Sequence, residues 1–587
     1  MMVWLILLLP IHFSNGQGES FSGFVTDPGS GIDIQVTSVF RDIPYSGFVP
    51  IEIRVENSTN TPGNWKFTFY SARYNYNSEF VDFSVDVSAA AKSATKTLVY
   101  LPRSVISNDS RRFGDTLMVS VKGRGVAYSQ GSLTSSSFDH DPTKFVVISS
   151  GLGEKFWNNL DVDIANGMSE NSHSSDTLMQ MRSLNGGLVS PADFPADRRF
   201  WTGVCGLWLS LGEWDRLAGD VRQNLLDWVR SGGMLFLIQK EEAADYVRGV
   251  GAIPADGQAQ IYGLGQIVVT RHLAEGLNSV KVITQIHSLD ASVSQAEGMS
   301  FVNNWEMLDD THRPLLHPGV TSFFLIVFLV LIGPVNLWVW APLRKRYRLV
   351  YTIPLISILF SILLLVVIIF IDGVGGEGER FSLVYLDGEA HRAVTWQEQV
   401  STTALLLNQD FKMDPRAVFH RIRVEYGDLE DRSYQRNDSD MGGDWFESRR
   451  IQAHWLYHSS STREQLIIYR DAEGDTYHAL SRLPCVLDQI YWRDDSGNLW
   501  MAERVSTGVK TKLAKASYEE FQKWSRSAVK RASMPLSDLW ESRINEDSWF
   551  YAQASAHADG MIETLPSINW ENNHMLYLGP AVMEEQP

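Results

Sequence analysis

Two uncharged apolar stretches, split by a tight basic cluster, constrain this chain more than any other feature. From Pro318 to Leu343 no side chain carries a charge. Arg344, Lys345, Arg346 and Arg348 follow, and from Leu349 to Ile371 charge is again absent until Asp372. Each run exceeds the roughly 20 residues that a helix, rising about 1.5 Å per residue, needs to cross about 30 Å of hydrocarbon. The pattern predicts two transmembrane helices, 319–343 and 349–371, joined by a loop at 344–348. Basic loops stay in the cytoplasm. The flanking domains are therefore expected on the outer side of a lipid bilayer, the cytoplasmic (inner) membrane. Trp338 and Trp340 suit the inner aromatic belt of such a membrane.

Outside these runs the chain has an ordinary balance. Hydrophobic residues make up 44% and mean hydropathy is −0.13. That argues against a polytopic transporter and for soluble domains carried on one hairpin. With 587 residues, a prior of about 150 per domain suggests about four units. The net charge of −18, with no basic stripe outside the loop, argues against a nucleic-acid partner. Residues 1–16 read as an export signal. Val3–Leu9 forms a short apolar core, and Ser14-Asn15-Gly16 offers small residues before Gln17, although no Lys or Arg precedes the core. An exported N-terminus followed by two spans places both terminal domains on the outer side.

The domains separate by period. Over 22–138, Val49, Ile51, Ile53 and Val55 alternate with Pro50, Glu52, Arg54 and Glu56, and Trp65, Phe67 and Phe69 repeat the period of two. An immunoglobulin-like β-sandwich is expected. Over 143–315 the character changes. Phe145–Ser149, Gly206–Ser210 and Met234–Ile238 are continuous apolar runs of the kind buried in parallel sheets. Leu217, Val221, Leu225 and Val229 repeat at helical spacing until Ser231-Gly232-Gly233, so a three-layer α/β domain is expected. The C-terminal part, 373–587, reads as mainly β or α+β. It has hairpins around Asp471–Asp475 and Asp494–Asn498, a helix at Tyr518–Val529 and a polar loop at Asp428–Asp444.

Two segments carry a resemblance. Asp227-Trp228-Val229-Arg230-Ser231-Gly232-Gly233 runs from a helix end straight into a strand, and Tyr262-Gly263-Leu264-Gly265-Gln266-Ile267 introduces another. Both resemble the class I glutamine-amidotransferase-like fold of bacterial envelope proteins. Ile332-Gly333-Pro334-Val335-Asn336 is similar to the membrane hairpin that accompanies that domain in a poorly characterised two-span group. The resemblance implies architecture; its motifs are not catalytic ones.

Enzymes of that fold use a cysteine on a strand-to-helix elbow. Cys205, in Gly203-Val204-Cys205-Gly206-Leu207, precedes a strand and lacks the second glycine of such an elbow. It reads as a packed thiol, so no catalytic residue is assigned. Cys205 and Cys485 form no disulfide framework, and their pairing is left open. Ser149–Gly153 reads as a strand-to-helix turn without a dinucleotide fingerprint. His454 and His458 have helical chelate spacing but lie in a strand pattern, where they are about 13 Å apart. Asp494–Asn498 has Val505 where a calcium loop needs glutamate, and Asp438, Asp440 and Asp444 read as a solvated loop. No metal or cofactor is expected. Pro334 and Asn336 place polar groups inside the first span, which need a partner in the second span or in another protein.

The reading that follows is a non-catalytic, membrane-anchored protein that binds a ligand or partner, with the role of an accessory subunit in a membrane assembly. A membrane or envelope protein partner is expected. The competing reading is an envelope hydrolase working through the α/β pocket, with Asp161, Asp163 or His173 as candidates.

Overall fold

The computed structural model describes most of the chain from Phe21 to Glu585, apart from residues 72–80, 103–115, 135–144, 157–184, 240–245, 272–304, 312–317, 425–431, 471–475, 555–559 and a few shorter stretches. The protein is mainly β-structure and divides into two compact units. One comprises residues 1–299, 427–437 and 538–545; the other comprises 300–426, 438–537 and 546–587.

The first unit begins with two antiparallel sheets. Strands β1 (Ile32–Ser38), β2 (Phe48–Asn57) and β5 (Ser93–Pro102) form one sheet in the order β1-β2-β5. Strands β3 (Gly63–Ser71), β4 (Val81–Ala89), β6 (Thr116–Lys122) and β7 (Gln130–Thr134) form the other in the order β4-β3-β6-β7. The period of two has a direct physical cause: successive side chains of a strand point to opposite faces. Ile51, Ile53, Val55, Trp65, Phe67 and Phe69 are all fully buried.

The same unit corrects the loop expected at Asp428–Asp444. Residues 428–431 lie outside the described residues, but Arg432–Asn437 is a strand that pairs in parallel with β4, Arg432 opposite Val81 through Gln435 opposite Ser84. Its burial alternates because Arg432, Tyr434 and Arg436 point inward. Arginine can bury its long aliphatic stem against apolar surface, so a polar segment can still follow a strand period.

The α/β part holds a six-stranded sheet. Its strands are β8 (Phe145–Ser149), β9 (Asn185–Val189), β10 (Gly206–Ser210), β11 (Met234–Gln239), β12 (Ala259–Tyr262) and β13 (Gly265–Arg271), in the order β9-β8-β10-β11-β13-β12. All pairs are parallel except β12 with β13. Helix α1 (Leu211–Arg216) follows β10, and α2 (Gly219–Arg230) connects onward to β11. The apolar runs are buried along their length: β8 and β11 have no exposed residue. Trp208 stacks flat on Phe236 at 4.2 Å across neighbouring strands.

The second unit contains the apolar hairpin and a nine-stranded sheet. Helix α3 (Pro318–Val330) continues as a π-helical segment, Leu331–Trp340, and after a turn α4 runs from Leu349 to Asp372. The first apolar helix thus ends three residues before the expected 343. Pro334 lacks an N–H and its ring crowds the preceding turn. The wider π geometry accommodates it, and the segment closes with Ala341 N–H donating to the carbonyl of Asn336, five residues back. The 344–348 connection contains a short 3₁₀ turn at Arg346–Arg348.

Strands β14 (Gly376–Asp387), β15 (Arg392–Thr403), β16 (Val418–Ile422), β17 (Ile451–Ser461), β18 (Leu487–Arg493), β19 (Leu499–Val505), β20 (Trp549–Ala554) and β21 (Ile568–Pro580) lie in the order β16-β17-β15-β14-β21-β20-β18-β19, with Ala514–Lys515 at the edge. Only β14 with β21 is parallel in this sheet. Helix α5 (Tyr518–Ala528) starts at a capping box made by Ser517 and Glu520. Asp440–Gly443, within the expected loop, is also a strand and pairs with Phe411–Lys412.

Candidate functional site

In doubly wound sheets the crevice opens beyond the carboxyl ends of the strands, where the winding reverses direction. Here the chain passes from β8 outward to β9 and then back across to β10, so the reversal lies between β8 and β10. Ser149 ends β8 and Ser210 ends β10. The Glu213 carboxylate on α1 joins them. Its Oε1 accepts from the Ser149 hydroxyl at 2.6 Å, and its Oε2 accepts from the Ser210 N–H at 2.9 Å and the Ser210 hydroxyl at 2.7 Å. The Ser149 Oγ accepts in turn from Gly151 N–H at 3.1 Å. A Cβ on Gly151 would stand 2.0 Å from Glu213 Oε1, so glycine is what leaves room for the carboxylate.

This cluster is the best-placed group of polar side chains in the α/β part. Chemically it ties two strand ends together: the carboxylate already receives three donors, and the Ser149 hydroxyl faces a carboxylate rather than an imidazole. The sequence carried its signal. Ser210 and Glu213 have the S-x-x-E spacing of a capping box directly after an apolar run, and both arms of the box form. Asp161, Asp163 and His173 lie outside the described residues.

Cys205 sits at the opposite edge of the sheet, at the amino end of β10. It is buried, and its thiol donates to the Phe145 carbonyl at 3.0 Å. Cys485 is also a buried free thiol, beside the Tyr577 hydroxyl at 3.8 Å. Burial pushes the Cys485 thiol above its usual pKa.

The two glycine-rich motifs are packing devices. Gly233 lies against the Trp228 ring, where a Cβ would approach to 2.3 Å. Gly263 has φ +68° and leaves Arg230 Cα only 2.7 Å from a would-be Cβ; at Gly265 the Val229 carbonyl would be 2.1 Å away. The close approach lets Leu264 N–H donate to Arg230 O and Gln266 N–H to Gly233 O. Around them, Asp227 accepts from Arg198 at 2.5 Å and Arg230 at 3.0 Å, and Arg230 also donates to Tyr262. The end of α2 is thereby fixed to the β12–β13 turn.

In the second unit the sequence missed the most unusual group. Glu398, in the middle of β15, is fully buried. It accepts from the Ser533 N–H at 2.9 Å and from the Ser533 hydroxyl. Burial pushes its carboxyl up to about 7, against the pull of the two Ser533 donors. Nothing in Gln397-Glu398-Gln399 marks such a position. Nearby, Glu379 accepts from His574 at 2.9 Å and Arg531 at 3.2 Å.

The two histidines of interest both lie on β17 and do not converge. His454 is fully buried, its Nε2 2.8 Å from the Trp445 carbonyl, and burial lowers its pKa to about 3. His458 pairs with Asp414 at 3.4 Å. Asp494 is the acceptor hub of a hairpin turn, taking the N–H groups of Ser496 and Asn498 and the Trp500 indole. Asp440 pairs with Lys412 at 3.6 Å, whereas Asp438 has φ +55° in the turn before it. Among the described residues no three His, Cys, Asp or Glu side chains gather as metal ligands.

Two helices in the hairpin are long and apolar enough to cross a membrane, over Ser322–Trp340 and Arg346–Leu364. Only 6% of each window is buried, unlike the core helix of a soluble protein. Phe323, Ile326, Leu329, Val350, Ile358 and Leu359 are all more than half exposed. Asn336 is the exception. It is fully buried, and neither amide atom has a hydrogen-bond partner among the described residues. The Thr352 hydroxyl of α4 is likewise buried without a partner. Arg344, Lys345, Arg346 and Arg348 are exposed.

No protein-family model and no curated protein matches the chain. Solved structures show faint likenesses. A crystal structure from Akkermansia muciniphila is 12% identical, covering 20% of this chain and 77% of that one, with a TM-score of 0.12. A solution structure from Arabidopsis thaliana is 15% identical, covering 22% and 88%, also with a TM-score of 0.12. A putative β-galactosidase from Bacteroides fragilis is 9% identical over 95% of this chain and 74% of that one, with a TM-score of 0.18. Scores this low carry no argument about fold or activity.

Proposed function

We propose that this chain is a two-span protein of the cytoplasmic membrane, with its folded domains on the outer side, and that it binds a ligand or partner there without catalysis, as an accessory subunit of a membrane assembly. The observation that carries this reading is the hairpin: two apolar helices exposed along their length and joined by Arg344, Lys345, Arg346 and Arg348. Such a surface is costly in water and suited to lipid, with the basic turn on the cytoplasmic face. Residues 1–16, the export signal of this reading, lie outside the described residues.

The α/β part enters as an amidotransferase-like scaffold that serves binding. What supports this is the parallel sheet with its helix-end motifs, together with a strand-end carboxylate that holds loops and a thiol at the opposite edge. Asn336 is the residue of choice for contact inside the membrane, because an unpaired amide in lipid favours any arrangement that supplies a partner.

The test is fractionation of cells expressing the tagged full chain, with alkaline washing of the membranes, followed by affinity recovery in mild detergent. The expected result is retention in the washed membrane and co-recovery of a stoichiometric membrane protein. Release of the chain into the soluble fraction would overturn the anchoring. Turnover abolished by a point substitution in the α/β part would overturn the non-catalytic role.

A further inference from the structure

The second unit holds a cleft of about 540 Å³, within the size range of small-ligand sites. Its walls come from β14, β15, the end of β17, residues 412–414 and 560–563, and β21. The floor is apolar: Val384, Ala393, Met561 and Tyr577 are buried. Hydroxyls of Thr395, Ser460, Ser461 and Thr462 stand on the walls.

The charged groups on those walls each have a partner, except one. Asp414 pairs with His458 at 3.4 Å, Lys412 with Asp440 at 3.6 Å, and Glu563 with Arg380 at 3.1 Å. Glu464 is left over. Its backbone N–H donates to the Thr462 hydroxyl, but no donor or cation stands beside its carboxylate among the described residues. Partial burial alone raises its pKa. A half-buried carboxylate without a counter-ion is unfavourable unless a cation arrives to pair with it.

We infer that this cleft is a binding site for a small organic cation, a primary ammonium on an aliphatic body, with Glu464 as its counter-ion and the Val384, Met561 and Tyr577 floor receiving the carbon chain. An inorganic cation would leave that floor uncovered, and an anion would meet Glu464 unscreened. The inference deepens the ligand-binding role proposed above by giving it a site and a ligand class. It does not depend on the membrane anchoring.

The experiment is calorimetric titration of the full chain in detergent with n-pentylamine, using n-pentanol as the neutral counterpart. Saturable binding of the amine, no binding of the alcohol, and at least about a tenfold loss of affinity in Glu464→Gln are expected. Glu519→Gln, on the exposed side of α5, controls for diffuse attraction to an acidic chain. Matching melting curves show that Glu464→Gln is folded. Equal affinity in Glu464→Gln, or equal losses in both variants, would overturn the assignment, and so would failure of the amine to saturate. A chain that binds the amine yet fractionates as soluble would count against the anchoring alone. A chain anchored but indifferent to the amine would count against this site alone.

Discussion

The two large sheets of this protein bury their strands by opposite means. In β8, β10 and β11 burial follows from composition: Val146, Ile148, Leu207, Trp208, Leu235 and Phe236 are apolar and fully buried. In β15 the segment Gln397-Glu398-Gln399 is just as buried, and Gln397 and Glu398 are satisfied by polar groups instead. Gln397 Oε1 accepts from Ile562 N–H at 2.7 Å and its Nε2 donates to Ile562 O at 2.9 Å; Glu398 takes both Ser533 donors. An apolar strand gains stability from any dry neighbour. A polar one is stable only while particular partners are in place, which ties β15 to residues more than 130 positions away.

That contrast can be broken at its apolar side with the largest effect. Trp208→Ala removes a fully buried ring stacked on Phe236 and should cost about 3–5 kcal/mol. Hydrogen exchange read by mass spectrometry should show lost protection in β10 and β11, with β15 unchanged. Loss of protection in both sheets would mean that the two are energetically one.

The polar side should respond to pH where the apolar side does not. With its carboxyl raised from 4.5 to about 7, Glu398 holds a proton in the folded state that the unfolded chain has already lost. Its contribution is therefore fully present below about 4.5 and falls as pH rises to about 7, by up to about 3 kcal/mol. Glu398→Gln should flatten the protection of β15 across that window. An unchanged slope would remove Glu398 as its source.

His454 should act with the opposite sign. Its pKa is lowered from 6.5 to about 3, so the unfolded chain gains a proton that the folded state refuses. Stability is lost as pH falls below about 6.5. Between about 4.5 and 6.5 the two groups oppose each other. His454→Phe should leave the Glu398 slope exposed, with protection of β17 and β15 improving steadily toward acid. The smallest expected effect is in the hairpin. Asn336→Leu removes two unpartnered buried amide atoms and should stabilise the helix pair by about 1–2 kcal/mol, read as resistance to detergent unfolding. Loss of a co-recovered membrane protein in the same variant would assign the amide to that partner.

The apolar sheet was legible in the sequence because its signal is local. Continuous runs such as Met234–Ile238 announce buried strands by themselves, and Ser231-Gly232-Gly233 announces where α2 stops. The hairpin was legible for the same reason, except that Pro334 shifts its helix into π geometry and moves its end. The polar sheet was not. Arg392–Thr403 shows neither alternation nor an apolar run, since both faces are covered and its partners lie in distant segments. Arg432–Asn437 was hidden in the same way, its period carried by arginine stems. Of the candidate sites, the Ser210 and Glu213 cap was readable as a motif, whereas the leftover charge of Glu464 exists only once Asp414, His458, Lys412 and Arg380 have found their places.

One pairing in the polar sheet also bears on how the protein is made. Strand β14 begins four residues after α4 ends at Asp372, yet its parallel neighbour β21 starts at Ile568. While the ribosome works through the intervening stretch, β14 has β15 on one edge and nothing on the other. Nearly 200 residues must emerge before that edge is covered: Gly376 waits for Ile568. Pairing over such a separation is slow, and a bare strand edge invites the wrong neighbour. A nascent chain halted before residue 568 is thus left with a half-built sheet beside its hairpin, a natural point of engagement for chaperones and of attack for proteases.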